Sequence, residues 1–182
     1  MSLMHSKMLP LGTAAIDFSL PGTDGKTYSL ASFSDKKILI VIIMCNHCPY
    51  VKAVIGRLST IQENYGDKGV QLVGINPNNE LDYPEDSMEN MKQLVDNGTI
   101  NYPYLRDDSQ KTARKYEAVC TPDLYLFGQE RTLLYRGRID DNWQDEAKVT
   151  SRDLRKAIDA VLEGDEISTE QHPSMGCSIK WK

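Results

Sequence analysis

The run "KKILIVIIM", Lys36 to Met44, constrains the fold more than any other stretch. From Ile38 to Met44 apolar, mostly β-branched residues follow one another without alternation, the pattern of a strand buried on both faces of a parallel or mixed sheet. Such a strand requires cover on both sides, so the chain must wrap a central sheet in other layers. Immediately after it comes "CNHCPYV", and then apolar residues at Val51, Val54, Ile55, Leu58, Ile61 and Tyr65, a helical stripe with Gly66 expected at its C′ position. The unit reads as strand, cysteine-bearing turn, long helix.

The flanking segments extend this pattern. "AIDFSLPGTDGKTYSLASF", Ala15 to Phe33, reads as a β-hairpin turning at Thr23-Asp24-Gly25. "GVQLVGIN" is a further strand, and "PNNELDYPEDS" a polar loop with a solvated acidic "LDYPED". Asp86 with Glu89 predicts a capping box opening a helix through Val95 that stops near Gly98. A short helix in "DDSQKTARKYEAV" precedes the hairpin of "DLYLFG" and "TLLYRGRI". Thr150 with Asp153 predicts the cap of a last amphipathic helix closed by Gly164, and Asp140-Asp141 reads as a turn. The tail after it shows no periodicity.

At 182 residues the chain suits one domain with modest additions. A net charge of −5 with dispersed lysines and arginines leaves no basic face, which argues against nucleic acid as a partner. No apolar run is long enough for a bilayer and the N-terminus lacks the regions of a signal peptide, so a cytoplasmic location without membrane attachment is expected. The opening "MSL" before Met4 has the look of a leader left by expression cloning. Four cysteines are too few for a disulfide-stapled secreted scaffold, so chemistry is the better use for them.

Cys45 and Cys48 are two residues apart where a helix begins, which brings both sulfurs within disulfide reach. The unpaired N–H groups and positive dipole end of that helix stabilise a thiolate, so Cys45 is expected to have a depressed pKa and to attack, with Cys48 resolving the mixed disulfide. Pro49 is tolerated in the first turn. His47 near the Cys45 sulfur would stabilise the thiolate further; a solvent-facing ring of no consequence is the bland alternative. A zinc site needs four ligands, and Cys45, His47 and Cys48 supply three, so no metal and no other cofactor is expected. A structural buried pair is the remaining alternative. Thr121-Pro122 precedes a strand, where the Thr–Pro bond is a candidate for cis. Cys120 beside it is either a buried filler or, with Cys177 of a folded-back tail, a second redox pair.

"KKILIVIIMCNHCPYVKAVIGRL" together with "VCTPDLYLF" resembles the AhpC/TSA (redoxin) branch of the thioredoxin superfamily, and "DFSLPGTDGKTYSL" is similar to the family's usual opening. "GCSIKWK" resembles the tail of a bacterial subgroup. The resemblance implies a thioredoxin-like α/β fold, a central mixed sheet flanked by helices, over residues 14–164, with residues 1–13 as an N-terminal extension and 165–182 as a tail. It implies that Cys45 and Cys48 are the redox-active pair and that Thr121 and Pro122 face them at the substrate site. The chain departs from thioredoxins in having Met44 before the first cysteine, Asn46-His47 between the pair, and no aspartate on the preceding strand. His47 or water is then expected to take the proton. Set against the peroxiredoxin motif, Cys48-Pro49 falls on the peroxidatic Cys-Pro, but Val41 and Cys45 stand where proline and threonine belong. "VTSRDLRKAI" resembles that family's arginine segment only faintly, and a polar helix start explains Arg152 as well.

The expected activity is thiol–disulfide exchange on a protein or small-molecule disulfide, with a thioredoxin- or glutathione-type electron donor. The alternatives are a thiol peroxidase acting on peroxide, and a non-catalytic redox sensor.

Overall fold

The computed structural model describes residues 2–182. In chain order its strands and helices are β1 (Leu3–His5), β2 (Leu20–Pro21), β3 (Thr27–Tyr28), β4 (Ile38–Ile43), α1 (Pro49–Tyr65), β5 (Val70–Asn76), α2 (Met88–Asp96), β6 (Tyr104–Arg106), α3 (Lys111–Lys115), β7 (Cys120–Thr121), β8 (Asp123–Phe127), β9 (Leu133–Gly137), α4 (Asp153–Glu163) and β10 (Met175–Ser178).

The central sheet has the order β6-β5-β4-β8-β9, so the apolar run that dominates the sequence is its middle strand. β4 runs parallel to β5 and antiparallel to β8, which makes the sheet mixed. Its side chains alternate between two cores, as strand geometry requires. Ile38, Ile40 and Ile42 face Val51, Val54 and Leu58 of α1 and Leu154 and Ile158 of α4. Leu39, Val41 and Ile43 face Phe18, Phe33, Ala113 and Tyr116 on the other side. This is the expected thioredoxin-like fold, and β2 with β3 forms the expected N-terminal hairpin. Among the described residues no helix is long and apolar enough to cross a membrane.

Several local expectations are corrected. Gly66 is still right-handed, and the chain tightens into a 3-10 turn before Gly69, at φ +86°, supplies the left-handed residue. β6 has no signal in the sequence, because "YLR" is too short to carry a period. α2 is capped by Ser87, whose hydroxyl accepts from Asn90 N, and Asp86 turns inward instead. Nor does Thr150 cap α4: its side chain is held by Asp141, and the N-cap position falls to Arg152. The aperiodic tail contains β10, which lies between β1 and β7 in a second, three-stranded sheet. Its lack of pattern follows from its length, four residues with little solvent-facing alternation.

Candidate active site

β4 ends where the buried sheet meets the start of α1, and the five residues between them carry both cysteines. Cys48 is the N-cap of α1 and Pro49 its first residue, where a missing N–H is harmless. Cys45 and Cys48 are reduced and fully shielded from solvent, at 1% and 0% exposure, so access needs local movement or a docking partner. The Thr121–Pro122 bond is cis, and Thr121 touches both sulfurs: its Oγ1 is 3.3 Å from Cys45 Sγ, and its carbonyl accepts from Cys48 Sγ at 3.2 Å.

The two residues between the cysteines are anchored by the loop expected to be solvated. Asn46 donates its backbone N–H to Asp86 Oδ1 at 2.6 Å and its side-chain amide to Glu85 O, and accepts from Tyr104 OH at 2.8 Å. His47 Nδ1 lies 2.6 Å from Asp86 Oδ2, and the ring stacks on Tyr83 with centroids 5.1 Å apart. His47 Nε2 is buried with no hydrogen-bond partner. Asp86 is fully buried, and Asn78 Nδ2 donates to the oxygen that also faces His47. Arg106, itself buried, holds this loop through Asp86 O and Asn78 O. The buried carboxylate that the sequence of the preceding strand lacked is therefore present, brought from a distant loop.

Cys45 Sγ, a ring nitrogen of His47 and a carboxylate oxygen of Asp86 lie within 4.8 Å of one another. These donors fall one short of a tetrahedral set, and both Asp86 oxygens are already accepting hydrogen bonds. The carboxylate thereby holds the ring by Nδ1.

The expectation of a depressed Cys45 is reversed. The hydrogen bond between the two sulfurs concentrates the charge on Cys48, and burial and the nearby Asp86 carboxylate also push Cys45 up. Cys48 is pushed down to about 4 by the Cys45 thiol, against the cost of burial, with help from the Cys177 thiol and the backbone N–H groups of Val51 and Cys177. Cys48 Sγ has one acceptor beside it, Thr121 O, against several donors: the Cys45 and Cys177 thiols and the N–H groups of Val51 and Cys177. Both shifts point the same way, favouring the thiolate on the sulfur at the helix N-cap, where a helix terminus stabilises negative charge.

Cys177 joins this centre and Cys120 sits apart from it. In the pairing of β10 with β7, Cys177 stands opposite Thr121, and Ser178 opposite Cys120. Neighbouring residues of a strand point to opposite faces, so Cys177 shares the face of Thr121 and Cys120 does not. Cys120 Sγ donates to Pro122 O, and burial, with the neighbouring charge of Asp123, raises its pKa. Sequence reasoning had no means of finding Asp86, Tyr83 or the Cys48–Cys177 contact, since none shares a local motif with the cysteine pair.

Beside Pro122 opens a cleft of about 270 Å³ lined by Tyr50, Val54, Pro122, Leu124, Trp143 and Met175. Trp143 packs on Tyr50 with centroids 4.1 Å apart, and Arg57 fixes the Trp143 segment by bonding Asp140, Asn142 O and Trp143 O. Asp140 is bound by Arg57 and Asn142 N and Asp141 by Thr150, bonds of the kind a turn reading implies, and both also border the cleft.

Comparison with known proteins bears on the family and the fold. The AhpC/TSA family model matches residues 11–136. A solved structure of an uncharacterised conserved protein from Geobacillus kaustophilus superposes with TM-score 0.95 at 41% identity, covering 100% of this chain and 97% of that one. The provisionally named thiol:disulfide interchange protein DsbE of Chlorobium tepidum shares the fold, with TM-score 0.68 at 20% identity over 85% of this chain and 99% of its own. A Helicobacter pylori protein provisionally named peroxiredoxin bcp is 25% identical over 136 residues, 75% of this chain and 83% of that protein. With its family model spanning the central sheet and both cysteines of the pair, the chain belongs to the AhpC/TSA family of oxidoreductases.

Proposed function

We propose that the protein is a thiol–disulfide oxidoreductase in which Cys45 and Cys48 cycle between dithiol and disulfide. The observation that carries this reading is the pair of hydrogen-bonded sulfurs at a helix N-cap, both against Thr121 of the cis-proline turn. The Cys48 thiolate attacks one sulfur of a substrate disulfide, forming a mixed disulfide and releasing the other sulfur as a thiolate that takes a proton. His47 Nε2 then accepts the Cys45 proton, and Cys45 attacks the Cys48 sulfur. The Cys45–Cys48 disulfide forms, and the second substrate thiolate leaves with the proton His47 holds. Asp86, bonded to Nδ1, directs the free lone pair of the ring to Nε2.

Exchange of this kind uses no metal or organic cofactor, and a thioredoxin- or glutathione-type thiol returns the pair to the reduced state. The apolar cleft beside Pro122 suits the side chains of a protein disulfide substrate.

Peroxide reduction is the second reading, favoured by the thiolate lying on the cysteine that precedes Pro49. Cys48 would be oxidised to a sulfenic acid as the peroxide is reduced to alcohol or water, and Cys45 would condense with it, releasing water. The deciding experiment compares reduction of a protein disulfide with consumption of hydrogen peroxide by the reduced protein and its Cys45→Ser and Cys48→Ser variants. Disulfide reduction lost in both variants, with peroxide consumption no faster than that of an ordinary thiol, is the expected result. Rapid peroxide consumption by the Cys45→Ser variant, halting at a sulfenic acid, would replace the first reading with the second.

A further inference from the structure

The tail strand is built to bring a third thiol to the pair. Cys177 stands opposite Thr121, the residue that contacts both Cys45 and Cys48, and its thiol is hydrogen-bonded to the Cys48 sulfur. Its 4% exposure places it in the same buried cluster as the pair. The approach depends on Gly176, where a Cβ would lie 1.9 Å from Thr121 O; no other residue lets β10 come so near the turn. β10 is also pinned beyond the cysteine. Ile179 N donates to Val119 O, Lys180 N to Asn78 Oδ1, and Trp181 receives the Arg114 guanidinium over its ring at 4.2 Å. Asn78 is the residue that also bonds Asp86, so one side chain couples the tail to the His47 dyad.

We propose that Cys177 is a third redox thiol of this centre, exchanging with the Cys45–Cys48 disulfide to give a Cys48–Cys177 disulfide and Cys45 as a thiol. This rests on the reading of Cys45 and Cys48 as the redox pair. In the step, Cys177 gives up its proton and its sulfur bonds to Cys48. The Cys45–Cys48 bond breaks, Cys45 leaves as the thiolate and takes the proton, and one disulfide is present before and after. In the reduced protein, burial and the adjacent Cys48 charge push the Cys177 thiol up to about 12. Once Cys48 is in a disulfide its charge is gone, and with it that part of the barrier to Cys177 attack. The exchange moves the disulfide onto the pinned tail and restores Cys45 beside His47.

The test oxidises reduced Cys45→Ser and Cys45→Ala variants with one equivalent of diamide, blocks remaining thiols under acid quench, and maps the linkages by mass spectrometry of non-reducing digests. A Cys48–Cys177 linked peptide in both variants, with Cys120 blocked as a thiol, is expected. Wild-type protein treated alike should give Cys45–Cys48 and a detectable fraction of Cys48–Cys177, the latter lost completely in Cys177→Ser. Blocked thiols at both Cys48 and Cys177 in the two variants, or a Cys120–Cys177 link in their place, overturns the inference while a wild-type Cys45–Cys48 link leaves the parent reading standing. Absence of a Cys45–Cys48 link in wild-type protein overturns both.

Discussion

His47 Nδ1 and Asp86 Oδ2 are 2.6 Å apart although 39 positions separate them in the chain. The carboxylate holds the ring of the histidine that stands between the two cysteines in the sequence, and the ring's other nitrogen is buried without a partner. His47→Ala should slow disulfide exchange on the order of 10²-fold, the usual worth of a positioned acid–base group. Asp86→Asn should lower the rate more than the melting temperature, because an amide can keep part of the hydrogen bonding but no longer fixes the tautomer of the ring. Stopped-flow rates across pH check both. Unchanged rates in His47→Ala would remove the ring from the mechanism.

The thiolate is expected on Cys48. Rates of iodoacetamide alkylation, resolved by peptide mapping, should be nearly independent of pH between 6 and 8 at Cys48. At Cys45 they should rise about tenfold per pH unit, as for a thiol still protonated. Cys177→Ala removes one donor to the Cys48 sulfur and should shift its titration upward. The reverse assignment of the two profiles would restore Cys45 as the resting nucleophile.

Asp123, fully buried at the start of β8, keeps its proton up to about pH 6, because burial penalises the carboxylate more than its hydrogen bond from Tyr125 OH favours it. Its value in an unfolded chain is near 3.8, so between those pH values the folded state binds more protons. Wild-type stability therefore falls as pH rises through that window and this contribution is flat above it. Asp123→Asn lacks the effect. Its stability relative to wild type should increase by ~3 kcal/mol from below pH 4 to above pH 6, since each pH unit between the folded and unfolded values is worth about 1.4 kcal/mol. Urea denaturation at several pH values measures the difference.

Gly176→Ala forces a methyl group into the space of Thr121 O. The strand must retreat, and a loss of about 1–3 kcal/mol in unfolding free energy is expected, as for other overpacked sites. Retreat of β10 should also separate Cys177 from Cys48 and speed labelling of both by a thiol reagent. Equal stability and labelling would show that β10 is held less closely than the geometry indicates.

The elements that carry a long period are legible in the sequence. The Ile38–Met44 run, the α1 stripe and the β8–β9 hairpin each hold enough residues to announce themselves, and together they indicate a covered mixed sheet. So do the placement of two cysteines at a helix start and the proline before β8, because both depend on neighbours in the chain. Asp86 reads locally as part of a helix cap, wrongly, because a carboxylate one residue before Ser87 satisfies the same pattern.

What the sequence alone determined is thus the sheet apart from its edge strand β6, its central strand and the cysteine pair at the helix that follows, since local periodicity and spacing encode them. Only the tertiary structure decided what surrounds each sulfur, which carboxylate meets His47 and that the tail brings Cys177 to Cys48. The reason is physical: burial, hydrogen bonding and charge proximity depend on distance in space, and these groups lie far apart along the chain.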